Sequence, residues 1–150
     1  MRKILQKSEK KELNERILGE YRLEFIDKKD KVELIDDVYF KNDEPVFFIQ
    51  NNKLIPTLKL ILKNNFLKNI TVDMGAVKFV VNGADIMRPG IVQMDEDIEE
   101  GEVICVIDTT HSKPLAIGIA LFSGRDMQKM SSGKAVKNMH WVGDKIWISH

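Results

Sequence analysis

Residues 72–90, VDMGAVKFVVNGADIMRPG, decide the fold of this 150-residue chain. Asp73 is placed to cap a helix over roughly 74–82, because an aspartate side chain accepts hydrogen bonds from the N–H groups of a first helical turn. Gly83 ends that helix, since glycine adopts the left-handed conformation of a helix stop without steric cost. A strand over 86–94 follows directly. The stretch therefore predicts a helix, a glycine turn and a strand in immediate succession.

The residues after this stretch predict a barrel. An apolar run at 102–108 predicts a strand covered on both faces, and 115–121 alternates large with small apolar residues, which lets another element approach closely. The other predicted elements are a short helix opened by Ser123 and Asp126, and a terminal hairpin formed by 134–141 and 145–149 around Gly143-Asp144. Short strands with two brief helices are typical of a small, nearly closed β-barrel.

The residues before it predict a separate α+β unit. A helix capped by Ser8 would end at Gly19, and a second helix would begin at Pro56. Between them, β-branched and aromatic runs separated by polar turns predict antiparallel strands at 21–26, 32–35, 38–40 and 46–50. The fold class is therefore α+β.

Composition changes along the chain at the same place. Of nine glycines, only Gly19 precedes residue 70, and residues 1–70 hold 15 basic and 12 acidic residues against 8 and 11 in 71–150. We predict two domains, 1–68 and 69–150. Because no Pro/Gly/Ser-rich linker joins them, we expect them to pack on each other.

Several classes of protein are excluded or disfavoured. Motifs for phosphate-binding loops, dinucleotide binding, nucleophile elbows and zinc proteases are absent, so we predict no catalytic residue, metal or cofactor. Cys105 lies in VICVI, where burial is expected to suppress the thiolate. The six carboxylates in 95–102 lack calcium-loop spacing and predict a solvated loop. No segment resembles a membrane span or a signal peptide, which predicts a cytoplasmic protein.

The stretch 72–90 resembles the signature of the PUA domain, and the resemblance continues to about residue 148 through LAIGIALFS and GKAVKNMHW. Ahead of it, residues 54–60, LIPTLKL, resemble the helix that links a pre-PUA domain to PUA in the malignant-T-cell-amplified-sequence and ligatin families. The whole chain is thus similar to an archaeal-type, stand-alone member of that two-domain architecture.

The resemblance implies a non-enzymatic protein that binds structured RNA, rRNA or tRNA, and acts with the small ribosomal subunit in translation initiation, re-initiation or recycling. It also implies a possible partner of density-regulated-protein type. The RNA-binding positions that it implies are Lys78, Asn82, Gly83, Ala84, Arg88, Pro89 and Gly90. Where many relatives carry a polar residue this chain has Met74, so a polar contact there is not expected.

The residues themselves give partial support for this surface. Asp73 would occupy the amides at the helix start, which makes the glycine end the better candidate for RNA. Asn82 offers groups for a base edge, and Arg88 offers a fork that suits phosphate or guanine. Further basic residues on the final hairpin form a secondary set: Lys134, Lys137 and His140. Trp141 and Trp147 fit either core packing or base stacking.

Two other functions stay open on the sequence. A protein-interaction adaptor would use the acidic segment 95–102 and the N-terminal sheet. An accessory RNA-binding subunit of a pseudouridine- or archaeosine-type modification system would act only with another, catalytic chain. The net charge of zero argues against broad non-specific RNA binding and favours few, specific contacts.

Overall fold

A computed structural model describes residues 1–149, so His150, the end of the second predicted domain, lies outside the described residues. The N-terminal part is an antiparallel sheet in the order β1-β2-β3-β4-β5 with two helices. Its elements are β1 (Arg2–Ile4), α1 (Lys7–Tyr21), β2 (Val32–Ile35), β3 (Val38–Lys41), β4 (Glu44–Gln50), β5 (Lys53–Pro56) and α2 (Leu58–Lys63).

The C-terminal part is a six-stranded sheet in the order β7-β11-β10-β9-β6-β8. Its elements are β6 (Asn69–Val72), α3 (Met74–Val80), β7 (Ile86–Met87), a 3-10 turn (Arg88–Gly90), β8 (Ile91–Met94), β9 (Val103–Asp108), β10 (Pro114–Ala120), α4 (Gly124–Lys129), β11 (Lys134–Trp141) and α5 (Lys145–Ser149). The edge strands β7 and β8 are joined by the 3-10 turn alone, so the sheet curls into the nearly closed barrel that the sequence predicts.

Three hydrophobic clusters hold the molecule together. One lies between α1 and the N-terminal sheet, and one fills the barrel. The third is shared: Phe48, Ile55 and Leu58 from the N-terminal part pack with Cys105 and Ile117 of the barrel. The two parts therefore pack directly on each other. Cys105 is fully buried, as predicted, and burial raises the pKa of its thiol to about 12.

The hairpin turns of the N-terminal sheet are two residues long and contain no glycine. They are Asp36-Asp37, Asn42-Asp43 and Asn51-Asn52, and both residues of each turn have positive φ. Two successive positive φ values match the twist of the flanking strands, and Asn and Asp tolerate this conformation better than other side chains. The turns therefore set the register of β2 to β5.

The predictions for the first helix and the strand after it were wrong. Helix α1 starts after Gln6, not Ser8, and it continues through Gly19 to Tyr21. A capping box between Gln6 and Glu9 starts it, and Arg22 at φ 55° ends it. An exposed glycine inside a helix costs about 1 kcal/mol, which packing of the apolar face offsets. Residues 21–26 therefore form a helix end and a loop instead of a strand.

Other elements also differ from prediction: β5 and β6 were not predicted, and the 3-10 turn divides the predicted strand 86–94 into β7 and β8. Pro56 ends β5, and Thr57 caps α2 by accepting a hydrogen bond from the N–H of Leu60. The edge strand β1 was not predicted, because its three exposed residues carry no alternating pattern. The terminal hairpin is a strand followed by helix α5, because an Asp144 oxygen accepts from the N–H of Trp147 at 2.9 Å and so caps a helix.

Candidate nucleic-acid interface

Helix α3 is held against the barrel at its first turn. Asp73 Oδ1 accepts from the N–H of Ala76 at 2.9 Å, which confirms the predicted cap. The N–H of Asp73 itself donates to the carbonyl of Gly90 at 3.0 Å. Val80 is buried in the barrel core. The outward side of the helix and of the turn after it, called here the α3 face, consists of Met74, Lys78, Phe79 and Asn82.

The turn after α3 depends on Gly83. Its φ is +90°, and a Cβ built there would lie 2.6 Å from the ring of Trp141. The Nδ2 group of Asn138 on β11 donates to the carbonyls of Val80 and Ala84, both at 3.0 Å. The side chain of Asn138 thus fixes the turn to β11, while Ala84 stays exposed.

Arg88 lies in the 3-10 turn and not in a strand. Its Nε donates to the carbonyl of Met127 at 2.6 Å, and its Nη1 donates to the carbonyl of Ile91 at 3.0 Å. The side chain is half-buried. These bonds tie the turn to the end of α4, so the guanidinium has a structural role on the side that faces α4. The predicted contact of Arg88 with phosphate stays a prediction.

Pro89 and Gly90 complete this turn. Pro89 is exposed, whereas a Cβ on Gly90 would lie 3.3 Å from the Cβ of Ala76. Gly90 therefore lets α3 pack closely on the turn. The backbone of Arg88 also reaches β11, because its N–H donates to the carbonyl of Gly133 at 2.8 Å.

Strand β11 carries two exposed lysines, Lys134 and Lys137. Lys134 lies opposite Met87 in the β7–β11 pair, and its Nζ is 2.9 Å from Asp85. Burial pushes the pKa of Asp85 upward, but hydrogen bonds from Lys134 and from the N–H of Asn138 outweigh it and hold the pKa below its usual value. The pairing of β7 with β11 thus places Lys134 near both the turn at Gly83 and the backbone of Arg88.

His140 is the member of the predicted set that the structure removes from the surface. It is 1% exposed, and its Nε2 accepts from the N–H of Leu58 at 3.1 Å. Its Nδ1 is 2.7 Å from Asp144 Oδ2, which makes Nδ1 the donor of a neutral ring. Both ring nitrogens are therefore used to join α2 to the end of the barrel, and His140 has no group left for RNA.

The two tryptophans are half-buried packing residues. Trp141 packs against the barrel cluster and beside Gly83. Trp147 packs against the shared cluster, with Lys59 Nζ 5.4 Å from its ring centroid. Both positions favour the core interpretation over base stacking.

The acidic segment 95–102 lies at the other end of α4 from Arg88. The N–H of Gly124, the first residue of α4, donates to the carbonyl of Ile98 at 2.8 Å, and Ile98 is buried. Lys68 Nζ lies 2.8 Å from the carbonyl of Asp97 and 3.2 Å from Glu102 Oε1. Six helical residues span about 9 Å, so the acidic loop lies a short distance from the Arg88 turn.

The described residues hold neither a candidate metal cluster nor a candidate membrane-spanning helix. Residues 1–149 bring no three His, Cys, Asp or Glu side chains into an arrangement that could hold a metal ion. Within the same residues, no helix combines the length and apolarity that a membrane crossing requires.

Comparison with known families agrees with this geometry. The PUA domain family matches residues 68–142, which contain α3, the glycine turn and β11. The chain belongs to the PUA-domain family. Residues 1–64 match a second family, described as a domain of unknown function, DUF1947. PUA is an RNA-binding fold, as the resemblance in the sequence implied.

Relatives extend over most of this PUA protein. An uncharacterized Methanocaldococcus jannaschii protein is 50% identical over 129 residues, which are 83% of this chain and 80% of that one. Translation machinery-associated protein 20 of Saccharomyces cerevisiae is 32% identical over 136 residues, 83% of this chain and 75% of the relative. Malignant T-cell-amplified sequence 1 of Danio rerio is 32% identical over 130 residues, 80% and 72%.

Solved structures share the fold. A Pyrococcus horikoshii protein superposes with a TM-score of 0.85 at 33% identity over 99% of each chain. The archaeal box H/ACA sRNP Nop10-Cbf5 complex contains a chain with a TM-score of 0.52 and 26% identity over 64% of this PUA protein and 30% of that chain. The two-part architecture of the PUA protein therefore recurs as a whole, and part of it recurs within a ribonucleoprotein.

Proposed function

We propose that the protein binds structured RNA, tRNA or rRNA, through the α3 face, the turn at Gly83 and the exposed lysines of β11. The observation that carries the proposal is that the PUA match includes α3 and β11, whose lysines Lys78, Lys134 and Lys137 stay at the surface. Lysine ammonium groups supply most of the affinity for a phosphate backbone. The carboxylates of 95–102 repel RNA from the neighbouring loop, which confines binding to this side.

Three groups of residues have different roles in the proposed site. Lys78, Lys134 and Lys137 contact phosphates, and Asn82 offers its side-chain oxygen to a base edge, since its Nδ2 already donates to the carbonyl of Lys78 at 2.7 Å. The backbone of the two turns lies close to the RNA; its residues are Gly83, Ala84, Pro89 and Gly90. Arg88 acts mainly as a positioning residue, through its bonds to Met127 and Ile91.

The biological role that we propose is non-enzymatic and cytoplasmic: binding to the small ribosomal subunit and tRNA during initiation, re-initiation or recycling of translation. The names of the yeast and fungal relatives, translation machinery-associated protein 20, support this setting. A partner of density-regulated-protein type fits the same role.

The test is binding of the full chain to tRNA and to small ribosomal subunits, measured at several salt concentrations. We expect the double variant K78A/K137A to weaken binding about tenfold or more and to reduce the slope of log K against log salt by about two, since each phosphate contact contributes about one. Lys11→Ala, which removes an exposed lysine of α1, is the matched control. Equal binding by the double variant and the control would contradict the proposed face.

The acidic segment favours a second function, a protein-interaction adaptor. Lys68 donates to the carbonyl of Asp97 and Gly124 donates to the carbonyl of Ile98, and the exposed carboxylates of this segment form an acidic surface that suits a basic protein. A pull-down after nuclease treatment separates the two functions. The adaptor function would be favoured if a protein partner is recovered after nuclease treatment and is no longer recovered when the carboxylates of residues 95–97 are replaced by amides.

A further inference from the structure

The ring of Phe79 lies outside the hydrophobic clusters of the fold. Its side chain is 58% exposed, more than any other aromatic side chain in residues 1–149; Phe122 follows at 38%. The inward side of α3 consists of smaller residues that pack on the barrel: Ala76, Val77, Val80 and Val81. Burying a phenylalanine is among the largest favourable terms in folding, so an exposed ring on a short helix gives up stability.

The groups around Phe79 connect it to the turn at Gly83 and to Lys78. Lys78 Nζ lies 5.2 Å from the centroid of the ring. The carbonyl of Phe79 accepts from the N–H of Asn82 at 3.2 Å and from the N–H of Ala84 at 3.0 Å. The residue that carries the ring is therefore the anchor of the glycine turn, and it is fixed to β11 through the bonds of Asn138 to that turn.

We propose that Phe79 stacks on an unpaired base of the bound RNA, with the Lys78 ammonium on the adjoining phosphate. Every base has a π-face, so an aromatic ring binds bases with little sequence preference, and it adds to the phosphate contacts of nearby lysines. Bases inside a duplex are already stacked on each other, so the ring selects an unpaired nucleotide that flanks a folded region. This inference rests on the proposed function and names the RNA feature that the α3 face recognises.

The test uses two RNA probes that differ in one feature. One is a hairpin with a four-nucleotide single-stranded overhang that contains 2-aminopurine, and the other is the same hairpin with blunt ends. We expect wild-type protein to bind the overhang probe more tightly and to quench its fluorescence. Phe79→Ala should lose about tenfold in affinity for the overhang probe, abolish the quenching and leave binding of the blunt probe unchanged.

Matched variants separate stacking from simple apolar contact. Phe79→Tyr keeps the ring and should behave as wild type, whereas Phe79→Leu keeps apolar area and should behave as Phe79→Ala. Leu18→Ala removes an exposed apolar side chain of α1, which is 41% exposed, and should change nothing. The melting temperature of each variant checks that the fold is intact.

Three outcomes would overturn the inference, and they are distinguishable. If Phe79→Ala binds and quenches like wild type while K78A/K137A loses both probes, the stacking inference fails and the proposed function stands. If wild type binds neither probe, nor tRNA, nor small subunits, the proposed function itself fails. If Phe79→Ala keeps RNA binding and instead loses a co-purifying protein, the ring is covered by a protein partner.

Discussion

The two parts of the chain turn corners with different residues. In residues 1–149, seven of the eight non-glycine residues with positive φ lie in the N-terminal part, and all four glycines with positive φ lie in the barrel. All six residues of the N-terminal hairpin turns are exposed, so the surface leaves room for the Cβ of each Asp or Asn. At Gly83 the same Cβ would meet the ring of Trp141. The difference teaches that glycine is required where a turn is packed, and only convenient where it is exposed.

His140→Ala tests how much the hydrogen bond between the N-terminal part and the barrel contributes to the stability of the chain. We expect a loss of about 4 kcal/mol in the free energy of unfolding, because the change leaves a cavity and deprives the buried N–H of Leu58 of its acceptor. Denaturant unfolding followed by far-UV circular dichroism measures it. His140→Gln, which offers an acceptor oxygen, should recover part of the loss, and a loss below 1 kcal/mol for His140→Ala would show that the junction is held by the apolar cluster alone.

Gly83→Ala tests the packed turn directly. We expect a loss of about 3 kcal/mol, from the left-handed conformation and from the contact with Trp141. Gly101→Ala is the matched control, because Gly101 has φ +85° with nothing within 4 Å of its built Cβ. It should lose about 1 kcal/mol. Equal losses in thermal unfolding of the two variants would mean that packing adds nothing to the cost of the conformation.

Asp144 contrasts with the exposed aspartates of the N-terminal turns. Burial pushes its pKa upward, but bonds from His140 and from the N–H groups of Trp147 and Trp141 outweigh it, so the pKa lies below the usual 3.8. A carboxyl whose pKa is lower in the folded state stabilises the fold above pH 4, and this stabilisation is lost as pH falls through 3.8 toward the folded pKa. Asp144→Asn should cost about 1 kcal/mol at pH 7, and its difference from wild type should shrink at pH 3. A difference between Asp144→Asn and wild type that stays constant from pH 7 to pH 3 would contradict this assignment.

The smallest effects are expected at the exposed hairpin turns. Asp37→Gly, Asp43→Gly and Asn52→Gly should each stabilise the chain by about 0.5 kcal/mol, because glycine at the second position of such a turn relieves the left-handed strain. Thermal unfolding of the triple variant gives a measurable sum. Destabilisation would show that the Asp and Asn side chains make contacts that outweigh the strain.

What the sequence predicts well is local. Asp73 and Ser123 accept from the N–H groups three residues ahead, so each cap is visible in a few letters. The barrel and its resemblance to a family are predicted from the succession of such local caps, turns and strands along the chain. The roles of Arg88 and His140 are different, because their partners lie 39 residues away at Met127 and 82 residues away at Leu58. No local pattern indicates a partner at that separation, so the bonds of Arg88 to Met127 and of His140 to Leu58 could not be predicted from the sequence.

The exposure of Phe79 could not be predicted from the sequence for a related reason. In the sequence it is one more apolar letter in a helix whose neighbours are buried, and only its exposure of 58% separates it from them. Asn138 and Asp85 were also missed, since their bonds to the α3 turn and to Lys134 join elements far apart along the chain.

The seam of the barrel has a consequence for engineering. Strands β7 and β8 are held near each other by three residues of continuous chain, Arg88–Gly90, and not by a ladder of backbone hydrogen bonds. A circular permutant with its new ends at this turn would convert the barrel into an open sheet with two bare edges, a geometry to which other chains add strands. The short segment beside the proposed RNA site therefore also limits the access of other chains to these edges, and we expect protease nicking there to favour aggregation.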